Sequence, residues 1–252
     1  MPSFVRVQIS LLALSIVVPA ACNALVLLGS VDPLVASNIS GATLVVSWVG
    51  LVITPLVLGS GARTAVRLSA LLVAWGFVSV WGPVVWDFTW FLLHRTVAGA
   101  TAADRWLWYW WMYAVADTRF LRADPLMVVL ECGSGLLGFA QAYALASFWN
   151  GKVRRAFYVS TLAGALGFYG TVVFFAVEAL QGFRNITPDF FSFYVKWWGM
   201  NGLWLVMPIV APFAYARLLR EPGYDAATVL RREVFGMARS TRAVSSGPQT
   251  AA

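Results

Sequence analysis

Six long apolar stretches constrain this sequence more than any other feature. Each contains roughly the 20 residues that a helix needs to cross the hydrocarbon core of a bilayer. The predicted spans lie at about 7–29, 41–59, 68–93, 126–148, 157–180 and 193–216. Turn-forming residues separate several of them, for example at 59–63 and 150–155. The pattern predicts an all-α membrane protein that crosses the bilayer several times.

The composition supports this prediction. Of the 252 residues, 60% are hydrophobic and 12% are charged, whereas average soluble domains contain about 25% charged residues. The two cysteines, Cys22 and Cys132, form neither a metal-binding spacing nor a disulfide framework. His94 is the single histidine, which excludes a site that needs two. We therefore expect no metal, no cofactor and no nucleic-acid partner.

The distribution of positive charge orients the chain. With the N-terminus in the cytoplasm, the cytoplasmic segments hold twelve Lys and Arg residues and the opposite side holds six. This fits the positive-inside rule. The glycosylation sequons at Asn38 and Asn185 both fall on the non-cytoplasmic side. We expect a multi-pass protein of the endoplasmic reticulum with a cytoplasmic C-terminus.

The chain divides into three parts. Residues 1–30 form an N-terminal transmembrane helix or signal anchor, with a cleaved signal peptide as the alternative. Residues 41–218 hold the other five spans, and a long break within them contains an aromatic segment at 105–117. We expect that segment to form an interfacial or re-entrant helix, where Trp and Tyr are common. Residues 219–252 are predicted to be a basic, disordered cytoplasmic tail.

Three acidic residues fall inside the predicted spans: Asp87, Glu131 and Glu178. Ionisable groups at this depth cost roughly 2.5–3.5 kcal/mol, so they usually face the inside of a bundle and often mark function. Helical spacing places Ser134 beside Glu131, and Thr171 on the same face as Glu178. The simplest arrangement directs these faces at one cavity.

Asn201 and Trp204 are neighbours on another predicted helix. A cavity lined in this way is apolar, so a lipid is the expected ligand. A carboxylic acid in a low-dielectric pocket can protonate an alkene, and a tryptophan face stabilises the resulting cation. Other interpretations stay open, because buried acids can bond to neighbouring helices and hydroxyl side chains can bond to the preceding turn.

Three segments together resemble the emopamil-binding protein family, which contains sterol Δ8–Δ7 isomerases and shares the EXPERA domain. They are YAVADTRFLRADPLMVVLECGSG, GFYGTVVFFAVEALQGF and FYVKWWGMNGLWLVMP. The most specific pieces are Asp117-x-Arg-aromatic, Glu131 with a hydroxyl residue three positions later, Tyr169-Gly, and MNGLWLVMP at 200–208. The similarity runs over 41–218 and leaves the first span outside.

The resemblance implies a five-helix bundle around a lipid cavity, here with an additional N-terminal helix. By position, Glu131 corresponds to the family's buried acid, and Ser134 stands where the isomerases have Thr. Asn201 and Trp204 correspond to the family's Asn and its cation-stabilising Trp.

Two departures from the family pattern alter the expected chemistry. The isomerases carry a His and, four residues later, a Glu in the helix before the long loop. Here that stretch offers Asp87 as the acid, with Pro83 four residues earlier. Thr171 stands where the isomerases have an Asp. These changes favour a divergent enzyme over an ordinary sterol isomerase.

The sequence thus predicts a membrane isomerase or cyclase that runs proton-initiated carbocation chemistry on a sterol or terpenoid. The expected catalytic residues are Glu131, Asp87 and Trp204. The expected substrate-binding residues are Asn201, Ser134, Asp117, Thr171, Glu178 and Tyr169. A non-catalytic lipid- or sterol-binding protein is the alternative, and membrane lipids are the other expected partners. Assembly as a homodimer is open.

Overall fold

The chain folds into six helices that are long and apolar enough to cross a membrane, as seen in a computed structural model that describes residues 1–237. These helices, called the first to sixth spans, are Ser3–Leu27, Pro33–Val57, Thr64–Val97, Pro125–Trp149, Val153–Leu180 and Phe191–Leu219. Within the described residues no β-strand forms, and the single β-bridge joins Asp117 to Ile186. The prediction of an all-α, multi-pass membrane protein is confirmed.

Local capping explains where two spans begin. The second span starts at Pro33 rather than at 41, because the Asp32 side chain accepts hydrogen bonds from the backbone N–H groups of Leu34 and Val35. Asp124 caps the fourth span in the same way. In both helices a proline follows the cap, at a position where its missing N–H costs nothing.

The third and sixth spans are irregular where the site lies. The third span is an α-helix over Thr64–Val80, a π-helix over Trp81–Asp87 and an α-helix over Phe88–Val97. The sixth begins as a π-helix over Phe191–Gly199 and continues as an α-helix over Leu203–Leu219. Such π-segments often mark functional sites.

Glycines bring the third and fourth spans into close contact. A Cβ atom on Gly135 would lie 2.6 Å from the Phe88 side chain, and one on Gly138 would lie 2.7 Å from Pro83. Any larger side chain at these positions would therefore push the helices apart. This close packing sets Asp87 of the third span level with the fourth-span segment that carries Glu131 and Ser134.

The segment at 98–124 forms a cap over one end of the bundle. Its helical turns are Arg105–Leu107, Trp108–Ala114 and Thr118–Leu121. Trp108 and Trp111 are buried in the core, and the Trp108 indole N–H donates to the Pro33 carbonyl oxygen at 2.9 Å. The segment at 105–117 thus forms two short helical turns, not one helix, and packs aromatic side chains on the bundle. Its position at the membrane interface stays a prediction.

The opposite end, which we call the basic end, holds the N-terminus, the loops at 58–63 and 150–152, and residues 220–237. The short helical turns Ala226–Thr228 and Val229–Val234 lie here. Arg63 pairs with Glu221 at 3.6 Å and with Glu233 at 3.2 Å. The predicted disorder is therefore wrong for 226–234, while 238–252 lie outside the described residues.

Candidate active site

A cavity of about 290 Å³ lies between the third, fourth, fifth and sixth spans. This volume is close to the lower end of the range for small-molecule pockets, roughly 300–1,000 Å³. Val129 and Tyr169 line the cavity and are also exposed on the outer surface. Gly133 also lines the cavity, and a Cβ atom on it would meet nothing within 4 Å. The cavity therefore reaches the outer surface of the fourth and fifth spans, which in a membrane faces lipid.

A pair of carboxyl groups forms the polar centre of this cavity. Asp87 and Glu131 both line it, and their side chains lie close enough to interact directly. Two carboxyl groups this close avoid carrying two negative charges, which favours a pair that holds one proton. The Ser134 hydroxyl donates a further hydrogen bond to Asp87 Oδ2 at 2.6 Å. Three residues predicted from the sequence are thus brought together.

Tryptophan rings form the wall beside the carboxyl pair. Trp204 packs edge to face against Trp48 and Trp75, with ring centroids 5.8 and 5.7 Å away. All three rings line the cavity. Such packing sets the positive edge of one ring on the negative face of another, and indole rings of this kind can stabilise a cation.

Asn201 connects the sixth span to the cap. Its Nδ2 donates to the Tyr113 hydroxyl at 2.8 Å and to the Trp197 carbonyl oxygen at 2.7 Å. Burial raises the pKa of Tyr113 well above its usual value of 10.0, so Tyr113 is a neutral phenol. Both Asn201 and Tyr113 line the cavity, and the Tyr113 O–H stays available to donate.

Thr171 and Tyr169 lie on the fifth-span wall of the cavity. The Thr171 hydroxyl donates to the Gly167 carbonyl oxygen at 2.9 Å, the back-bond expected of a threonine within a helix. Tyr169 is 69% exposed, so it stands at the opening toward lipid.

Two predicted substrate-binding residues do not line the cavity. Asp117 forms a bidentate ion pair with Arg119, with the shortest N–O distance at 2.5 Å. Glu178 lies 3.4 Å from the other side of the same guanidinium and accepts hydrogen bonds from the Asn185 backbone and side chain at 2.9 Å. Asp117 and Glu178 thus fasten the cap to the end of the fifth span, and their proposed role in binding substrate is not supported.

The cation between these acids opposes the effect of burial on Asp117. Burial raises the pKa of the Asp117 carboxyl, and the Arg119 guanidinium opposes that rise. Burial acts to lower the pKa of Arg119, but its hydrogen bonds to Asp117 and the charge of Glu178 outweigh burial and raise it. Asn185 is 5% exposed and its amide is engaged, so this sequon is closed to glycosylation in the folded protein.

His94 is remote from the carboxyl pair. It lies near the end of the third span with Nδ1 2.6 Å from the Phe91 carbonyl oxygen, and it does not line the cavity. Pro83 does line the cavity. Among the described residues no group of three side chains suited to a metal ion lies together.

The sequence interpretation missed several cavity residues. They are Trp48, Trp75, Trp86, Tyr113, Ser79 and Gln141. A tryptophan in an apolar helix gives no sequence signal that separates cavity from lipid. Gln141 did give one, since it follows Ser134 by seven residues on the same helix face.

Comparisons with known proteins found no match for this chain among protein-family models, curated proteins or solved structures. The resemblance to the emopamil-binding protein family therefore stays a prediction from the residues quoted above, and a functional interpretation rests on the geometry of the cavity.

Proposed function

We propose that this protein is a membrane-embedded isomerase or cyclase that transfers protons to and from a carbon–carbon double bond of a sterol or terpenoid. The observation that carries the proposal is that Asp87 and Glu131 lie together in a tryptophan-lined cavity, with the Ser134 hydroxyl donating to Asp87. Such chemistry needs no further base and no metal or redox partner, since carboxyl groups supply both an acid and a base.

The proposed reaction balances within the lipid and the two carboxyl groups. Glu131 gives its proton to one alkene carbon, so that a C–H bond forms, the π bond breaks and the neighbouring carbon becomes a cation. Trp204 stabilises this cation through its ring face. A carboxylate then removes a proton from an adjacent carbon, and the C–H electrons form the new double bond. In a cyclase, a second double bond attacks the cation before that deprotonation.

Ser134 supports this assignment of acid and base. Its hydroxyl donates to Asp87 Oδ2, and a donated hydrogen bond favours the carboxylate form. Asp87 is then the proton acceptor of the pair, and Glu131 is the donor.

A non-catalytic lipid-binding protein is the second candidate. The observation that favours it is that Pro83, and not a histidine, forms the cavity wall near Asp87. A carboxyl pair without a neighbouring imidazole has fewer routes for exchanging protons with water. The same cavity would then hold a lipid without changing it.

We also propose that the basic end faces the cytoplasm in the endoplasmic reticulum. This end gathers basic residues such as Arg63, Lys152 and Arg154, as the positive-inside rule requires. Labelling of single cysteines placed at 61 and 102 with a membrane-impermeant reagent tests this. Residue 61 reacts from the cytoplasmic side if the orientation is right.

The function is tested by isotope uptake. Purified protein in nanodiscs is incubated in D₂O with an 8-ene sterol or an acyclic polyprenol, and the lipids are analysed by mass spectrometry. We expect a product with deuterium on carbon. Glu131→Gln should lower its rate by about 10²–10⁴-fold, the usual contribution of a general acid.

The matched control is Glu221→Gln, which removes a glutamate at the basic end, outside the cavity. It should keep the wild-type rate. Tight binding of these lipids with no deuterium uptake would establish the lipid-binding alternative, and full activity of Glu131→Gln would exclude Glu131 as the acid.

A further inference from the structure

A buried amide marks the end of the cavity that lies away from the carboxyl pair. Gln141 is 5% exposed and lines the cavity. Its Nε2 donates to the Ser160 carbonyl oxygen of the fifth span at 3.2 Å. A carbonyl oxygen can only accept, so this contact fixes which way the amide points. The Gln141 Oε1 atom therefore faces away from Ser160.

Oε1 of Gln141 has no donor among the described residues, although it is not sealed off in the packed interior. An amide oxygen has two lone pairs and lowers its free energy by accepting a hydrogen bond. Gly164, which has no side chain, lies beside this amide, since a Cβ atom there would lie 4.0 Å from Gln141 Nε2, and both residues line the cavity. The open acceptor is thus available to a molecule in the cavity.

Ser79 of the third span lies at nearly the same depth. The fourth span runs antiparallel to the third, with Gly138 against Pro83 and Leu145 against Gly76. Position 141 falls between these contacts, about level with Ser79. The buried Ser79 hydroxyl donates to the Gly76 carbonyl oxygen at 3.2 Å, so toward the cavity it can only accept.

Both polar groups at this end therefore offer acceptors, and the matching ligand group is a hydrogen-bond donor. The distance to the acids follows from the helix. Gln141 comes seven residues after Ser134 and ten after Glu131 in one continuous helix, so it lies roughly 10–15 Å from them along the axis at 1.5 Å per residue.

We infer that the substrate is a lipid alcohol, held with its hydroxyl group on Gln141 Oε1 and Ser79 and with its reacting double bond at Asp87 and Glu131. This inference rests on the proposed function and deepens it by fixing the substrate's polar group, its direction in the membrane and its length. Gln141 is a specificity-determining residue that touches the substrate without taking part in proton transfer. A ketone or ether at the same position offers only an acceptor oxygen to the acceptor oxygens of Gln141 and Ser79, so the site rejects it.

The test measures binding and needs no turnover. The affinities of wild-type protein in nanodiscs are measured for an 8-ene sterol and for geranylgeraniol, each as the free alcohol and as its methyl ether. We expect one alcohol to bind at least about tenfold more tightly than its ether, the effect of one buried hydrogen bond. Gln141→Leu should abolish that preference, and Ser79→Ala should reduce it.

Gln8→Leu is the matched control. Gln8 is a buried glutamine whose Nε2 donates to the Leu51 carbonyl oxygen at 2.8 Å, outside the cavity. This variant should keep the full alcohol preference, which separates loss of ligand recognition from loss of a helix-to-helix bond. Ser79→Ala removes no side-chain volume beyond one oxygen, so it tests the inference even if Gln141→Leu fails to fold.

Equal binding of alcohol and ether to the wild type in both series would overturn the inference, as would a preference that survives in both cavity variants. Glu131→Gln should retain the alcohol preference while losing deuterium uptake. If the wild type prefers the alcohol but neither it nor any variant takes up deuterium, the proposed reaction is wrong and Gln141 is still the hydroxyl site. If the wild type takes up deuterium but binds alcohol and ether equally, the proposed reaction stands and the hydroxyl site is wrong.

Discussion

The protein buries acids in two places, and it treats them in opposite ways. At the cap, Asp117 and Glu178 flank the guanidinium of Arg119, which also lies over the Phe174 ring at 4.7 Å. In the cavity, Asp87 and Glu131 meet each other and a serine, and no cation among residues 1–237 forms an ion pair with them. The cap site joins the cap to the fifth span and the cavity site joins the third span to the fourth, and the two differ chiefly in that one cation.

The difference separates a structural site from the site that we propose to be reactive. A buried charge is tolerated when an opposite charge and hydrogen bonds compensate it, and the cap acids meet that requirement. A carboxyl pair that shares a proton is not held in one protonation state in this way, so its proton can move. Buried acids that look alike in the sequence thus serve different purposes.

The largest expected effect comes from removing the cation. Arg119→Met leaves Asp117 and Glu178 uncompensated, so we expect the free energy of unfolding to fall by about 3–5 kcal/mol. Thermal unfolding in detergent, followed by tryptophan fluorescence, measures this. Arg184→Met, at an exposed arginine on the same side, is the control and should unfold like the wild type.

Neutralising the acids as well should restore part of the loss. The triple variant Arg119→Met, Asp117→Asn, Glu178→Gln is expected to unfold at a higher temperature than Arg119→Met alone. If Arg119→Met is as stable as the Arg184→Met control, the contacts of Arg119 with Asp117 and Glu178 do not hold the cap on the bundle.

A smaller effect is expected at Ser134. Ser134→Ala removes a hydrogen bond to a charged acceptor, worth about 1.5–3 kcal/mol, so the rate of deuterium uptake should fall roughly tenfold to a hundredfold. The free energy of unfolding should fall by no more than the same about 1.5–3 kcal/mol, which is less than in Arg119→Met. Ser147→Ala, at a buried serine of the same helix outside the cavity, should keep both rate and stability. A normal rate in Ser134→Ala would mean that the serine does not decide which carboxyl group donates the proton and which accepts it.

The smallest effect concerns Trp204. Trp204→Phe keeps an aromatic face but a weaker one, and cation–π contacts are worth about 0.5–2 kcal/mol. We expect weaker binding of a lipid ammonium analogue and unchanged binding of its neutral carbon counterpart. Trp90→Phe, at a buried tryptophan outside the cavity, should bind both as the wild type does. Equal losses for both analogues would show that Trp204 packs against the lipid without stabilising charge.

Much of the fold could be predicted because the bilayer imposes a simple rule on sequence. Helix number and approximate position follow from apolar length, since only a helix satisfies its own backbone in hydrocarbon. The errors fell where side chains compete for partners inside the protein. The aromatic cap is one such place, because Trp108 and Trp111 suit the bundle core and the membrane interface equally until their neighbours are known.

The site was predicted in part for a related reason. Periodicity put Ser134 beside Glu131 within one helix, but it could not say which helices meet, and so it placed Asp117 and Glu178 at the same cavity as Asp87. Arg119 follows Asp117 by two residues but lies in a different segment from Glu178. The contact between Asp87 and Glu131 depends on Gly135 and Gly138 holding two helices close together.

By itself, the sequence determined the environment of this protein, because hydrophobicity and charge act residue by residue. It also determined which polar residues are too costly to bury without a reason. Only the tertiary structure decided what each of them does. That depends on which charge lies within a few ångströms of which other, and such distances are set by packing between segments far apart in the chain.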